Sequence, residues 1–399
     1  MAFADNGGVR LYWKLEGAAG KPVLLLLNSI GTDMSLWDRA APHLLPQFRL
    51  LRMDTRGHGA SDAPPDDYSL ETLARDAQVV MDAAGVERAC VCGLSLGGMI
   101  AMTLALQAPR RIEALILACT SPQMDKALWT QRVETVRTQG LAAIVDGAMA
   151  RFFSEGFVSH HPEVTDTARA GLLAMNPCGY AACGAAIRDM DLIGRISAIQ
   201  APTLVIHGRQ DISTPYAGHA DQLLARIEGA QAAALDAAHL ACVEAPTAFA
   251  GAIRGFVSGL AEQATGEAAE TLFEAGLKVR RKVLGDAWVD RSLSSRTPFN
   301  ADFQAMITRY AWQEIWGRPG LDHRTRRLIV IAITTALGRW EEFRLHVRAG
   351  LEQGGFTEDE LKEVLMQSAI YAGVPAANTA FAEAAAVIRG LEAETPNSG

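Results

Sequence analysis

Ser95 lies at the centre of Cys92-Gly93-Leu94-Ser95-Leu96-Gly97-Gly98, after a short apolar run from Ala89 and before a helical run from Met99 to Leu106. That pattern reads as strand, sharp turn and helix, with the serine at the apex. Small residues around it let the chain take the strained turn that pushes Oγ out into a cleft. A serine hydroxyl is a weak nucleophile at its own pKa, so it needs a base, and the base needs a group to orient it. Two later segments offer them. Ala201 to Ile206 reads as a buried strand, and the loop after it carries Asp211. Leu235 to His239 reads as a loop with His239 near its end. In such a set His239 takes the serine proton and Asp211 holds the imidazole in the right tautomer. The chemistry is attack on an ester-like carbonyl.

The elements that must position these residues alternate. Pro22–Leu27, Arg49–Met53 and Ala114–Cys119 read as short buried strands, and Leu70–Ala84 as an amphipathic helix. Such alternation predicts a mostly parallel sheet with helices on both faces over residues 1–260. Residues of about 122–195 are helical and less regular. They fall between the serine strand and the aspartate strand, where a lid over Ser95 would sit. Residues 261–269 are small, polar and weakly patterned, and are read as a linker. Beyond them helical period dominates. Candidate helices are Leu272–Leu284, Ala301–Trp316, Arg324–Gln353 and Glu358–Ala372, with a further one from about Ala376. Asp322 is placed to cap the third, and Thr357 with Glu360 forms a capping box for the fourth. Residues 270–393 are therefore expected to form an all-α domain.

Composition narrows the partners. With 399 residues, 49% of them apolar, the chain can bury two cores. Its net charge is −8, and acidic residues outnumber basic ones on both sides of residue 265, which argues against a nucleic-acid partner. All six cysteines lie in the first half, several in apolar runs, with neither metal spacing nor a disulfide framework. Residues 1–5 lack the basic and apolar segments of a secretory signal, and no run of 18 apolar residues suggests a membrane span. The expectation is a soluble, cytoplasmic protein without a metal or membrane partner.

The first 260 residues resemble the α/β-hydrolase superfamily, and within it the 3-oxoadipate enol-lactonases. The resemblance rests on Leu27-Asn28-Ser29-Ile30-Gly31-Thr32-Asp33, Asp54-Thr55-Arg56-Gly57-His58-Gly59-Ala60-Ser61, the Ser95 turn, and Asp211 with His239. It implies that Ser95, Asp211 and His239 are catalytic and that the N–H groups of Ile30 and Leu96 form the oxyanion hole. It also implies a substrate carrying a carboxylate, for which Trp129 and Arg132, three apart on a lid helix, are the positioning candidates. His58 and His207 are read as structural.

Residues 270–393 resemble the 4-carboxymuconolactone decarboxylases and, more broadly, the AhpD-like fold. The matching stretches are Gly276 to Gly285, Ile307 to Trp316, Arg344 to Arg348 and Ala369 to Asn378. AhpD-like peroxidases carry a Cys-x-x-Cys pair just before the histidine; here those positions are Arg339 and Glu342, so disulfide chemistry is excluded. The resemblance implies decarboxylation without metal or organic cofactor. His346 is the candidate general acid, and Glu342, four residues earlier, is expected to orient it or raise its pKa. Arg324, Arg327 and Arg339 are candidates for binding carboxylates. Trp312, Trp316 and Tyr310 are read as core, and His323 as a surface residue.

Together the resemblances imply a fusion of consecutive steps acting on small lactones, with homo-oligomerisation through the helical half. The rival reading is a generic serine esterase or C–C hydrolase joined to a non-catalytic helical assembly domain.

Overall fold

The computed structural model describes residues 2–353 and 355–394 and divides into two compact units between Leu260 and Ala261. The first is built on an eight-stranded sheet: β1 (Ala2–Asn6), β2 (Val9–Glu16), β3 (Val23–Leu27), β4 (Arg49–Met53), β5 (Ala89–Leu94), β6 (Ile112–Ala118), β7 (Thr203–Gly208) and β8 (Gln231–Leu235). Their spatial order is β1-β2-β4-β3-β5-β6-β7-β8. From β4 through β8 every neighbour is parallel; the hairpin β1–β2 and the β2–β4 pair are antiparallel. Central strands covered on both faces should be apolar throughout, and Leu24 to Leu27 and Ala89 to Leu94 are buried without a break. The antiparallel hairpin was not read from sequence; its turn is Gly7-Gly8, both at positive φ, in an otherwise polar stretch.

Between β6 and β7 lie five α-helices: Lys126–Gln139, Val145–Phe152, Glu155–His160, Pro162–Ala174 and Pro177–Asp189. The last docks on the Arg56-Gly57-His58 turn through two glycines. A Cβ built on Gly179 would meet the Gly57 carbonyl oxygen at 2.4 Å, so only bare backbone permits that approach.

The serine turn is equally tight. A Cβ on Gly97 would lie 2.0 Å from the carbonyl oxygen of Leu27, and one on Gly93 would lie 2.0 Å from that of Gly97. Both obstacles are backbone and cannot swing away. Gly97→Ala is therefore expected to destabilise the first unit by about 3 kcal/mol or more, or to prevent folding. Urea unfolding checks this; a midpoint within experimental error of the parent would show that the turn tolerates a side chain.

Residues 261–269, read as a linker, are helical. They belong to a continuous helix, Pro246–Leu284, because a polar run rich in Ala, Glu and Gln and free of proline favours helix even without an apolar stripe. The second unit continues with Asp286–Ser294, Ala301–Ile307, a π-helical stretch Thr308–Trp316, and helices His323–Leu337, Trp340–Glu352, Glu358–Ala372 and Val374–Glu394. The expected single helix from Arg324 to Gln353 is two. Gly338 closes the first in the left-handed region (φ 64°), the usual conformation of a glycine just past a helix end. The Asp322 cap and the Thr357–Glu360 capping box are both present. No single helix among the described residues is long and apolar enough to cross a membrane.

Candidate active sites

Ser95 sits between β5 and the helix Leu96–Gln107 with φ 56° and ψ −115°, a conformation that costs a non-glycine residue of order 1–3 kcal/mol. Its backbone is pinned on both sides: its N–H donates to the Ala118 carbonyl at 2.9 Å, and Thr120 Oγ1 donates to its carbonyl at 2.7 Å. The strained geometry is thus over-determined by its neighbours.

Asp211 and His239 meet. His239 Nδ1 donates to Asp211 Oδ2 at 2.9 Å, which leaves Nε2 as the nitrogen available to the serine. The carboxylate is full: Oδ1 accepts from the N–H groups of Ser213 and Thr214, and Oδ2 also accepts from Thr214 Oγ1 at 2.8 Å. Burial by itself pushes an acid up, but His239 and the Thr214 donors outweigh it and hold Asp211 down at about 2. It is ionised at any working pH and accepts only. Glu244 braces the histidine loop, taking N–H bonds from Ala238 and from Ser154, the N-cap of the third insert helix. The Leu240 N–H donates to the Phe152 carbonyl, and the Phe152 ring stacks on His239 (6.2 Å, 14°).

The loop after β3 is fixed by Asn28, which donates to the Met53 carbonyl and accepts from Trp37 Nε1, both at 2.8 Å. His58 Nε2 accepts from the Gly31 N–H at 3.0 Å, and burial holds His58 at about 4, so it is neutral and structural. Among the described residues the N–H groups of Ile30 and Leu96 have no acceptor. Two free donors, one just after the serine and one in this loop, are what a developing oxyanion requires.

Trp129 is buried and carries the Arg132 guanidinium 4.7 Å from its ring. Arg132 also reaches Tyr180, whose ring borders Gly31 and His58. A second cation, Arg151, completes the group; burial and the charge of Arg132 both lower it. Neither arginine is in an ion pair among the described residues. Arg151 carries no sequence signal beyond its place on an amphipathic helix one residue before Phe152. Two unpaired cations beside the histidine wall suit an anionic acyl group. Arg151→Met is expected to raise KM for an anionic lactone about tenfold while changing kcat less than threefold. Steady-state kinetics with an uncharged ester as control checks it, since an equal loss on both substrates would make the residue structural. A cavity of about 430 Å³ near Asp33, Arg39 and Glu163 is also lined by Gly31, Phe153 and Leu240, next to the loop after β3 and the residue after His239.

Cys178 is exposed, and the other five cysteines are buried; burial pushes Cys90 up to about 12 and Cys92, Cys119, Cys183 and Cys242 higher, so those thiols stay protonated.

In the helical unit His346 is 7% exposed and stacks on Trp316 (5.6 Å, 7°), which stacks on Trp312 (5.4 Å). The tryptophans read as core are therefore also the wall of this histidine. The π-winding of their segment coincides with Gly276, where a Cβ would lie 2.1 Å from the Thr308 carbonyl oxygen. His323 is half-buried against Trp316 rather than free on the surface.

Glu342 does not orient His346. It is exposed, and His346 Nδ1 is buried without a partner. Burial first, and the charge of Arg327 second, push His346 down to about 4, opposite to the expected rise. Four residues along a helix still turn the side chain by about 40°; here the buried stripe is Phe343, His346, Val347 and Gly350, and Glu342 falls outside it. Arg324 is also not at the histidine: it pairs with Glu360 on the surface. Arg327 is, being 3% exposed, beside His346 and bonded to the Val283 carbonyl.

Residues 22–246 match the alpha/beta hydrolase fold family, and residues 301–386 match the Carboxymuconolactone decarboxylase family. The 3-oxoadipate enol-lactonase 2 of Acinetobacter baylyi is 34% identical over 242 residues, 60% of this chain and 90% of that relative. The 4-carboxymuconolactone decarboxylase of the same organism is 48% identical over 122 residues, 31% of this chain and 90% of that relative. The crystal structure of the enol-lactonase from Burkholderia xenovorans is similar with a TM-score of 0.63 and 33% identity, covering 64% of this chain and 99% of that one.

Proposed function

The chain belongs to the alpha/beta hydrolase fold family in its first unit and to the carboxymuconolactone decarboxylase family in its second, and from that premise we propose that it is a bifunctional enzyme that converts 4-carboxymuconolactone to 3-oxoadipate through the enol-lactone. The observation that carries the reading is that both relatives, each matched over 90% of its own length, stand in one chain. The product of one reaction is the substrate of the other.

In the second unit the bond from the ring carbon to the carboxylate breaks and CO₂ leaves. The electron pair spreads through the ring double bond onto the lactone carbonyl, and a proton then returns to a ring carbon. His346 is the proton donor in this reading, and the Arg327 cation faces the charge that develops. In the first unit Ser95 Oγ attacks the lactone carbonyl as His239 takes its proton, and Asp211 stabilises the imidazolium. The oxyanion rests on the N–H groups of Ile30 and Leu96. Ring opening releases an enolate that stays tethered to the acyl group and takes the proton from His239. Water, activated by the same histidine, then frees the acid. Trp129, Arg132 and Arg151 hold the substrate carboxylate.

Self-association belongs to the same proposal. The helical unit exposes Phe299, Leu337, Ile370 and Tyr371 by 67–99% of their surface, apolar side chains that a second copy of the unit would cover. Proton NMR of the purified chain with 4-carboxymuconolactone tests the function directly. Accumulation of 3-oxoadipate supports it, and unconsumed substrate overturns the decarboxylase half.

A further inference from the structure

We infer that Arg280 and Arg327 form a two-point anion site in the helical unit, so that this site selects small dicarboxylate dianions, with Arg280 holding the carboxylate that is retained. The inference rests on the decarboxylase reading only for the word retained; the anion site stands on geometry.

Arg280 is 4% exposed. Its Nη2 donates to Ser292 Oγ at 2.9 Å, while Nε and Nη1 are buried without an acceptor. Its guanidinium lies 5.1 Å from the Trp288 ring and 6.0 Å from the Trp312 ring. Arg327 donates Nη2 to the carbonyl of Val283, one turn beyond Arg280 on the same helix, and its Nε is likewise orphaned. Both cations thus border one stretch of helix. From Arg280 the rings of Trp312, Trp316 and His346 follow in contact, and Arg327 lies beside His346.

No acidic side chain compensates either charge among the described residues, and burial lowers both pKa values with no opposing contribution. The contrast with their neighbours is informative. Arg281, the next residue along, pairs with Asp286 and Asp290, and Arg324, one turn before Arg327, pairs with Glu360. These two more exposed arginines have acids, and the two buried ones beside them have none among the described residues. A buried cation without a counter-ion costs several kcal/mol, and orphaned N–H groups add to that. The cost is offset when a carboxylate accepts two N–H bonds from the planar fork. A monoanion would satisfy one arginine and leave the other bare, which is why the geometry favours a dianion. A carboxylate that persists through the reaction gains from a tight anchor. The one that departs does not, because stabilising it equally in the ground state gains no rate. Arg327, beside His346, therefore serves the end where charge moves.

Equilibrium dialysis of the full chain with labelled glutarate and butyrate tests the site with non-reacting probes. Wild type should bind glutarate at least tenfold more tightly than butyrate. Arg280→Met and Arg280→Gln should each abolish that preference and lose one glutarate site per chain, with the helical circular-dichroism signal and its thermal midpoint unchanged as the check that the helical unit still folds. Glutarate binding unchanged in both variants would overturn the site. Binding lost in the variants while wild type fails to decarboxylate 4-carboxymuconolactone would support the site and remove the decarboxylase reading. Decarboxylation with an unchanged KM in both variants would do the reverse.

Discussion

Ser95→Ala, mixed with 4-carboxymuconolactone, is expected to release CO₂ at the parent rate and to accumulate the enol-lactone. Loss of the nucleophile should cut enzymatic lactone hydrolysis by about 10⁴-fold or more. The residue sits in a geometry that only this packing sustains, and its carbonyl and N–H are both bonded, so removing Oγ alters chemistry and little else. Asp211→Asn should approach the same loss, because an amide in place of the carboxylate would present a donor to His239 Nδ1 or hold the wrong tautomer. The two losses should not add, since the triad acts as a unit. Time-resolved NMR separates the steps by their products. If Ser95→Ala still forms 3-oxoadipate at more than about a hundredth of the parent rate, the serine is not the nucleophile and the Asp211–His239 pair serves another group.

How far the sequence carried this picture differs between the two units for a physical reason. The serine turn was legible because it can be built in few ways: Gly93 and Gly97 stand where a Cβ would strike backbone at 2.0 Å, so composition records the geometry. Asp211 and His239 were legible because each follows a strand of a parallel sheet, where loops at one edge converge. Arg151 was not, since one arginine on an amphipathic helix resembles any solvated residue until Phe152 is seen against His239. In the helical unit spacing alone misled. Glu342 has the right offset from His346 but lies outside the buried stripe, and Arg324 has a partner of its own. The residues that do pack against His346, Trp316 and Arg327, come from two separate helical segments, and nothing in local periodicity announces that they converge. The stretch at 261–269 lies just past the division between the units, and its helical form is carried by Ala, Glu and Gln propensity rather than by an apolar stripe.

His346→Ala is expected to slow decarboxylation by about 10²–10⁴-fold, the range for a lost general acid, and to leave lactone hydrolysis untouched. The pH dependence should be more telling than the size of the loss. In the free protein burial and Arg327 hold the imidazole near 4, so at neutral pH it is the neutral ring, a poor proton donor. A dianionic substrate changes that. One negative charge at about 5 Å, with an effective dielectric of about 20, favours the protonated ring by roughly 3 kcal/mol. The donor is therefore charged chiefly in the complex, and the substrate recruits its own acid. The sign follows: kcat for decarboxylation should fall as pH rises through the raised value, whereas a ring NMR titration of the free protein should place His346 near 4. The limb in kcat should vanish in His346→Ala. If that variant decarboxylates within threefold of the parent, the proton comes from elsewhere. If it neither decarboxylates nor self-associates, and the parent shows no decarboxylation either, the helical unit is an assembly domain attached to a hydrolase. Loss of turnover with assembly intact separates the enzyme from that rival in one measurement.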